Sequence, residues 1–257
     1  MLWSNVLCAE DAVPPEVDAQ HEAATLMSEG EAFFDEGELA RAQQAFEKAL
    51  VLRERALEPG HQETFAARIA VAKTLVFGAD LDRSESLLTE ALTQAEQQFG
   101  AESLEMAEVL FWSGFLHLSR GENEAALQVH EQALRLRERA SGSDDARVAD
   151  SAAGVGRAQQ ALGRLDEAEA SYRRALGIRE RVFGNGHPHV ARATEGLGRI
   201  YEARGDAVGA RKWHERALAI REKAYGPQHS EVALSLTHLG NVLYEVGDHS
   251  GAQSSYE

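Results

Sequence analysis

A period of 42 residues runs through this chain without an insertion or deletion, and it limits the fold more than any other feature. With repeats counted from after residues 22, 64, 106, 148, 190 and 232, position 8 is Gly30, Ala72, Gly114, Gly156, Gly198 and Gly240. Position 15 is Gly37, Ala79, Gly121, Gly163, Gly205 and Gly247, and position 20 is Ala42, Ser84, Ala126, Ala168, Ala210 and Ala252. Position 27 is Ala49, Ala91, Ala133, Ala175 and Ala217, each followed by leucine. A unit this short buries its apolar face only against a neighbouring copy, so the chain must stack its repeats.

Each unit reads as two antiparallel helices. The first carries apolar residues at helical spacing, as in Val190, Ala191, Thr194, Leu197 and Ile200, and stops at a glycine such as Gly205. The second runs through segments such as Ala217-Leu218-Ala219-Ile220 and ends at another glycine, Gly100, Gly142, Gly184 or Gly226. Small residues at positions 8, 20 and 27 are expected where helix backbones approach closely, with Phe46, Leu88, Tyr172 and Tyr256 at position 24 as their bulky counterparts. Ala175 is therefore expected in the helix seam and Arg179 on the exposed side. Few prolines and abundant Ala, Leu, Glu and Arg agree with an all-α protein.

Composition closes other routes. One cysteine cannot form an internal disulfide or a Cys-rich zinc site. No apolar run approaches the roughly 18 residues of a spanning helix, so no membrane insertion is expected. A net charge of −16 argues against nucleic acid as partner.

Gly at positions 8 and 15, Ala at 20 and 27 and an aromatic residue at 24 resemble the tetratricopeptide repeat. The 42-residue length, with Ala175-Leu176-Gly177-Ile178-Arg179-Glu180 and Gly186-His187-Pro188-His189-Val190-Ala191, is similar to its kinesin light chain type. The resemblance implies a right-handed α-solenoid over residues 20–257, six repeats with the sixth truncated, after an N-terminal extension over 1–19. Repeat two departs most, with Ala72, Ala79 and Ser84. Leu2 to Ala9 read either as a flexible or capping end or as the remnant of an export signal; a cytoplasmic location is expected unless the second holds. Because the sequence stops at Glu257, part-way through a second helix, the chain is expected to be a piece of a longer protein, and its open last repeat would allow self-association.

No enzyme signature is present, so no catalytic residue, metal or cofactor is expected. His130-Glu131 and His214-Glu215 lack the second histidine of a zinc helix. His61, His187 and His229 share position 39 with Ser103 and Asp145, which marks them as helix caps. His130 and His214 fall at position 24 as half-buried spacers.

The family resemblance implies ligand contacts at positions 2, 5, 6, 9 and 12 of the first helices. Here these supply Phe111, Trp112, Phe115 and Leu118, then Arg157, Gln160, Arg192 and Arg199, then His238, Asn241 and Tyr244. Residues 147–230 hold 15 basic and 10 acidic side chains in an otherwise acidic chain. The expected partner is a protein or peptide with an apolar anchor near Phe111 and Phe115 and acidic residues toward the arginines. The paired asparagines of the kinesin light chain type at positions 5 and 6 are absent, replaced by Ala153-Gly154, Glu195-Gly196 and Thr237-His238. Arginine outnumbers lysine 22 to 4, which suggests a GC-rich bacterial genome. The leading expectation is a non-enzymatic interaction scaffold. The alternative is a sensory or regulatory segment of a larger signalling protein carrying a nucleotide-switch, kinase or peptidase domain.

Overall fold

The computed structural model describes residues 15–257, so the reading of residues 1–9 as a signal remnant lies outside the described residues. Among these there are twelve α-helices, one π-helical turn and no strand. The helices are α1 (Pro15–Asp35), α2 (Leu39–Ala56), α3 (Gln62–Phe77), α4 (Leu81–Gln94), α5 (Leu104–Ser119) and α6 (Asn123–Ser141). There follow α7 (Ala146–Ala161), α8 (Leu165–Phe183), α9 (Pro188–Ala203), α10 (Ala207–Tyr225), α11 (Ser230–Glu245) and α12 (His249–Tyr256). The π turn, Ala95–Phe99, continues α4. Helix α1 begins at Pro15, a residue suited to the first helical turn, within the segment expected as an N-terminal extension.

The helices pack in consecutive antiparallel pairs to form an α-solenoid. First helices make the inner ring: α3 meets α5, α5 meets α7 and α7 meets α9. The second helices stand outside them. Position 39 caps each following first helix, as its mix of Ser, Asp and His suggested. His61 Nδ1 accepts from the Glu63 N–H at 3.2 Å and His229 Nδ1 from the Glu231 N–H at 3.1 Å, while Ser103 Oγ accepts from the Met106 N–H at 3.0 Å. Position 15 turns the chain between paired helices with a positive φ, as at Gly121 (φ 76°). Ala79 occupies that conformation at φ 64° and is its only non-glycine example among the described residues. A β-carbon there costs about 1–2 kcal/mol.

The reason for glycine at position 8 differs from the expected backbone approach. Each glycine makes room for the position 24 ring of its own repeat: a Cβ on Gly30 would stand 2.5 Å from Phe46, and one on Gly198 2.5 Å from His214. Repeat two resolves the same contact with a smaller knob, pairing Ala72 with Leu88, both buried. His130 and His214 are fully buried, not half-buried spacers.

A second correction concerns position 31. Arg179 is 5% exposed and donates to Asp150 at 2.7 Å, so it lies in the seam rather than outside it. It belongs to a series of buried arginines that tie second helices to first helices. Arg53 donates to the Glu63 carbonyl at 2.9 Å. Arg137 joins Glu108 of α5 to Ser151 of α7, and Arg221 joins Glu195 of α9 to Glu231 and Ser235 of α11. In repeat two the equivalent residue is Ala95, inside the π turn. Ala175, by contrast, is fully buried, as its place in the period required.

Candidate functional site

The inner ring presents the side chains of α5 first. Phe111 is 9% exposed and belongs to the core, with the Arg137 guanidinium 4.6 Å above its ring centre. It is therefore not the apolar anchor itself: its ring lies edge-on to Trp112 and Phe115, 5.1 Å from each, and props up these two half-buried neighbours. Trp112 donates its ring N–H to Glu108 at 2.8 Å, which fixes the indole. Phe77, from α3, is 45% exposed and lies 6.3 Å from both rings. Leu118 packs against the apolar cluster of Ala126, Leu127 and Val155.

The Arg157 guanidinium stands 5.6 Å from the Phe115 ring centre, so the apolar and basic surfaces touch. Among the described residues Arg157, Arg192 and Arg199 have no carboxylate within 4.0 Å, a state shared only with Arg55 and Arg164 among the arginines. Their neighbours on the outer helices are paired, Arg173 with Glu169, Arg211 with Glu215 and Arg216 with Glu180. Surrounding protein, followed by the like charge of Arg199, pushes the Arg157 guanidinium below its ordinary pKa. Burial raises the pKa of the Tyr172 hydroxyl, with the charges of Arg199 and Arg157 acting against it. Arg192 is exposed, two turns before Arg199 on α9 and so roughly 10 Å away along the axis. Gln160, one turn beyond Arg157, leaves its buried Oε1 without a hydrogen-bond partner.

Phe115, Arg157, Gln160 and Arg199 thus share one stretch of the inner ring. Asn241 and Tyr244 are engaged elsewhere: Asn241 Oδ1 accepts from the Tyr256 hydroxyl at 2.7 Å, and Tyr244 lies against His249 of α12. His238 stacks on His214 at 5.2 Å and 7°, and burial lowers its pKa.

The missing asparagines at position 6 have a packing explanation. Gly154 and Gly196 stand there so that His130 and Tyr172 can push between successive first helices; a Cβ on Gly154 would meet the His130 ring at 2.7 Å. Both ring nitrogens of His130 lack partners. Burial first, then Arg137, Arg157 and His117, lower its pKa to about 3, so the ring is neutral near pH 7.

Sequence reasoning overlooked the part of the inner face before Trp112. A cavity of about 370 Å³ opens there, lined by Met27, Phe65, Ile69, Lys73 and Trp112. Met27 and Ile69 hold position 5 and Lys73 position 9, so applying the contact positions to repeats one and two would have found them. Lys73 is paired with Glu31 at 2.6 Å.

Among the described residues no group of three or more His, Cys, Asp or Glu could hold a metal ion, and no helix is long and apolar enough to cross a membrane.

Comparison with known proteins places this geometry. No curated protein matches the chain. Among solved structures, BtubC (BKLC) from P. vanneervenii is 22% identical over 92% of this chain and 87% of its own, with a TM-score of 0.65. A putative kinesin light chain from P. anserina with nearly identical TPR-like repeats is 17% identical, covers 79% of this chain and 97% of its own, and has a TM-score of 0.58. A Rap protein complexed with Competence and Sporulation Factor is 16% identical over 94% of this chain and 76% of its own, at 0.68. Family profiles described as tetratricopeptide repeat match residues 23–63 and, in overlapping spans, 105–257. The chain belongs to the tetratricopeptide repeat family.

Proposed function

We propose that this protein is a non-enzymatic scaffold whose inner face holds a peptide segment of a partner protein, an apolar side chain lying on Trp112 and Phe115 and acidic side chains facing Arg157, Arg199 and Arg192. One observation carries the reading. In a chain where most arginines, buried and surface alike, are salt-bridged, the three at the expected contact positions are left without carboxylates, and the first of them lies against the half-buried ring of Phe115. Guanidiniums that no carboxylate of the chain neutralises attract an external anion. A Rap protein complexed with Competence and Sporulation Factor shares this fold, which is compatible with a role in holding a partner.

The test compares the parent chain with the Arg157→Ser/Arg192→Ser/Arg199→Ser variant. Pull-down with mass spectrometry identifies peptides retained by the parent alone, and their affinities are then measured across a salt series. The variant should bind at least about tenfold more weakly with a flatter salt dependence. Equal affinity and equal salt slope would reject the assignment.

A further inference from the structure

A different place in the molecule carries a second site. In repeats three, four and five one set of three positions forms packed apolar core: Met106, Leu110 and Leu136; Val148, Ala152 and Ile178; Val190 and Ile220, with Thr194 bonded to its own helix. In repeat two the same positions hold Thr64, Arg68 and Gln94. These three do not close on one another. They line a cavity of about 560 Å³ between the end of α2, the start of α3 and the π turn after α4.

Polar side chains at three core positions cost stability unless something answers them, and here the answer is incomplete. Thr64 is 5% exposed and its buried hydroxyl has no hydrogen-bond partner. Arg68 reaches Gln94 Oε1 at 2.6 Å and Glu54 at 3.3 Å, with its Nε 3.6 Å from Glu90 and without a hydrogen bond, and Gln94 in turn donates to the Gly60 carbonyl at 3.0 Å, so the wall is partly braced while the Thr64 hydroxyl stays free. The rim adds Glu58 and Glu90 to Glu54, three carboxylates against the single guanidinium of Arg68. Leu57 and Pro59 supply an apolar side. Surplus negative charge, a free acceptor and an apolar flank suit a cation carried on an aliphatic stem, and the volume falls in the range of small-ligand sites.

We propose that this cavity binds an aliphatic ammonium or guanidinium group, independently of the inner groove. The cation's N–H donors face Glu54, Glu90 and the Thr64 hydroxyl, and its stem lies on Leu57 and Pro59. The cation has two sources, a free amine or a basic side chain of another protein. Calorimetric titration of the full chain with agmatine, spermidine and a capped Gly-Arg-Gly peptide distinguishes them. Saturable binding of agmatine or spermidine indicates the free amine; binding of the peptide alone indicates a side chain.

Glu54→Gln/Glu90→Gln should weaken binding by about tenfold or more, because it removes charge-assisted acceptors. Thr64→Val/Arg68→Leu/Gln94→Leu, which makes these positions apolar as they are in repeats three and four, should abolish binding while raising the melting temperature. Absence of saturable binding by all three probes would overturn the proposal, as would binding unchanged in the Glu54/Glu90 variant. That variant removes two solvent-facing partners of Arg68 but leaves Thr64, Arg68 and Gln94 in place, so it remains informative if the repacked one fails to fold.

Discussion

In repeats three, four and five a buried arginine at position 31 reaches first helices through carboxylates and hydroxyls, and a glycine at position 8 receives a large ring. Repeat two has the same length and phase, yet holds Ala95, Ala72 and Leu88 at these places, a strained Ala79 at its turn, and a π turn beside a polar cavity. It is also the segment, residues 64–104, between the two matched spans of the family. The difference teaches that period and strength are separate properties. Small residues in phase suffice to stack a repeat, whereas locking it to its neighbour needs the ring in its socket and the buried ion pair.

The comparison can be broken or sharpened by substitution. Arg221→Ala removes the guanidinium that Glu195, Glu231 and Ser235 share and should lose about 3 kcal/mol in urea unfolding, the lower range for breaking a buried pair. A loss no larger than that from an exposed charge such as Arg135 would show that position 31 does not distinguish these repeats. Gly198→Ala drives a methyl into the His214 ring and should cost about 1–3 kcal/mol in the same experiment. The alanine already present at position 72 is harmless because its partner is leucine.

His130 gives repeat three an acid sensitivity that repeat two, with Leu88, lacks. Its folded pKa lies near 3, below the unfolded value of 6.5, so unfolded chains take up the proton first. The stability this ring contributes is complete above pH 6.5 and declines as pH falls toward 3, by at most about 1.4 kcal/mol per unit. His130→Phe, the ring used at Phe46, should flatten that part of the pH–stability curve; an unchanged slope would contradict the assigned burial. The smallest effect is expected at Ala79→Gly, which relieves the left-handed alanine and should raise stability by about 1 kcal/mol or less. A measured loss would mean that the turn is not strained.

Much of this was legible before any coordinates. Gly37 through Gly247 and Ala49 through Ala217 repeat in register, and such positions are decided by backbone geometry and close packing, which leave few residue choices. Arg179 was misread because a guanidinium normally seeks water; its burial depends on Asp150, a partner from another helix that no local pattern reveals. Phe111 was misread in the opposite sense. Its position on the inner ring was visible, but whether a ring there faces solvent or supports Phe115 depends on Arg137 lying over it. Arg157 beside Phe115 was anticipated as a charge boundary in the chain and is a direct contact in the fold.

The buried arginines also set how the molecule comes apart. A stack of repeats behaves as a one-dimensional lattice, in which partly melted states place a domain wall at the junction with the lowest coupling energy. Arg53, Arg137 and Arg221 each reach the first helix of the following repeat, whereas Ala95 offers no guanidinium between repeats two and three, where α4 and α5 share the thinnest contact of any consecutive helices and the Arg120 pairs with Asp82 and Glu85 lie at the exposed edge. Thermal fluctuation will therefore divide the lattice there, and amide protons of α1 to α4 will exchange through openings that leave α5 to α12 protected.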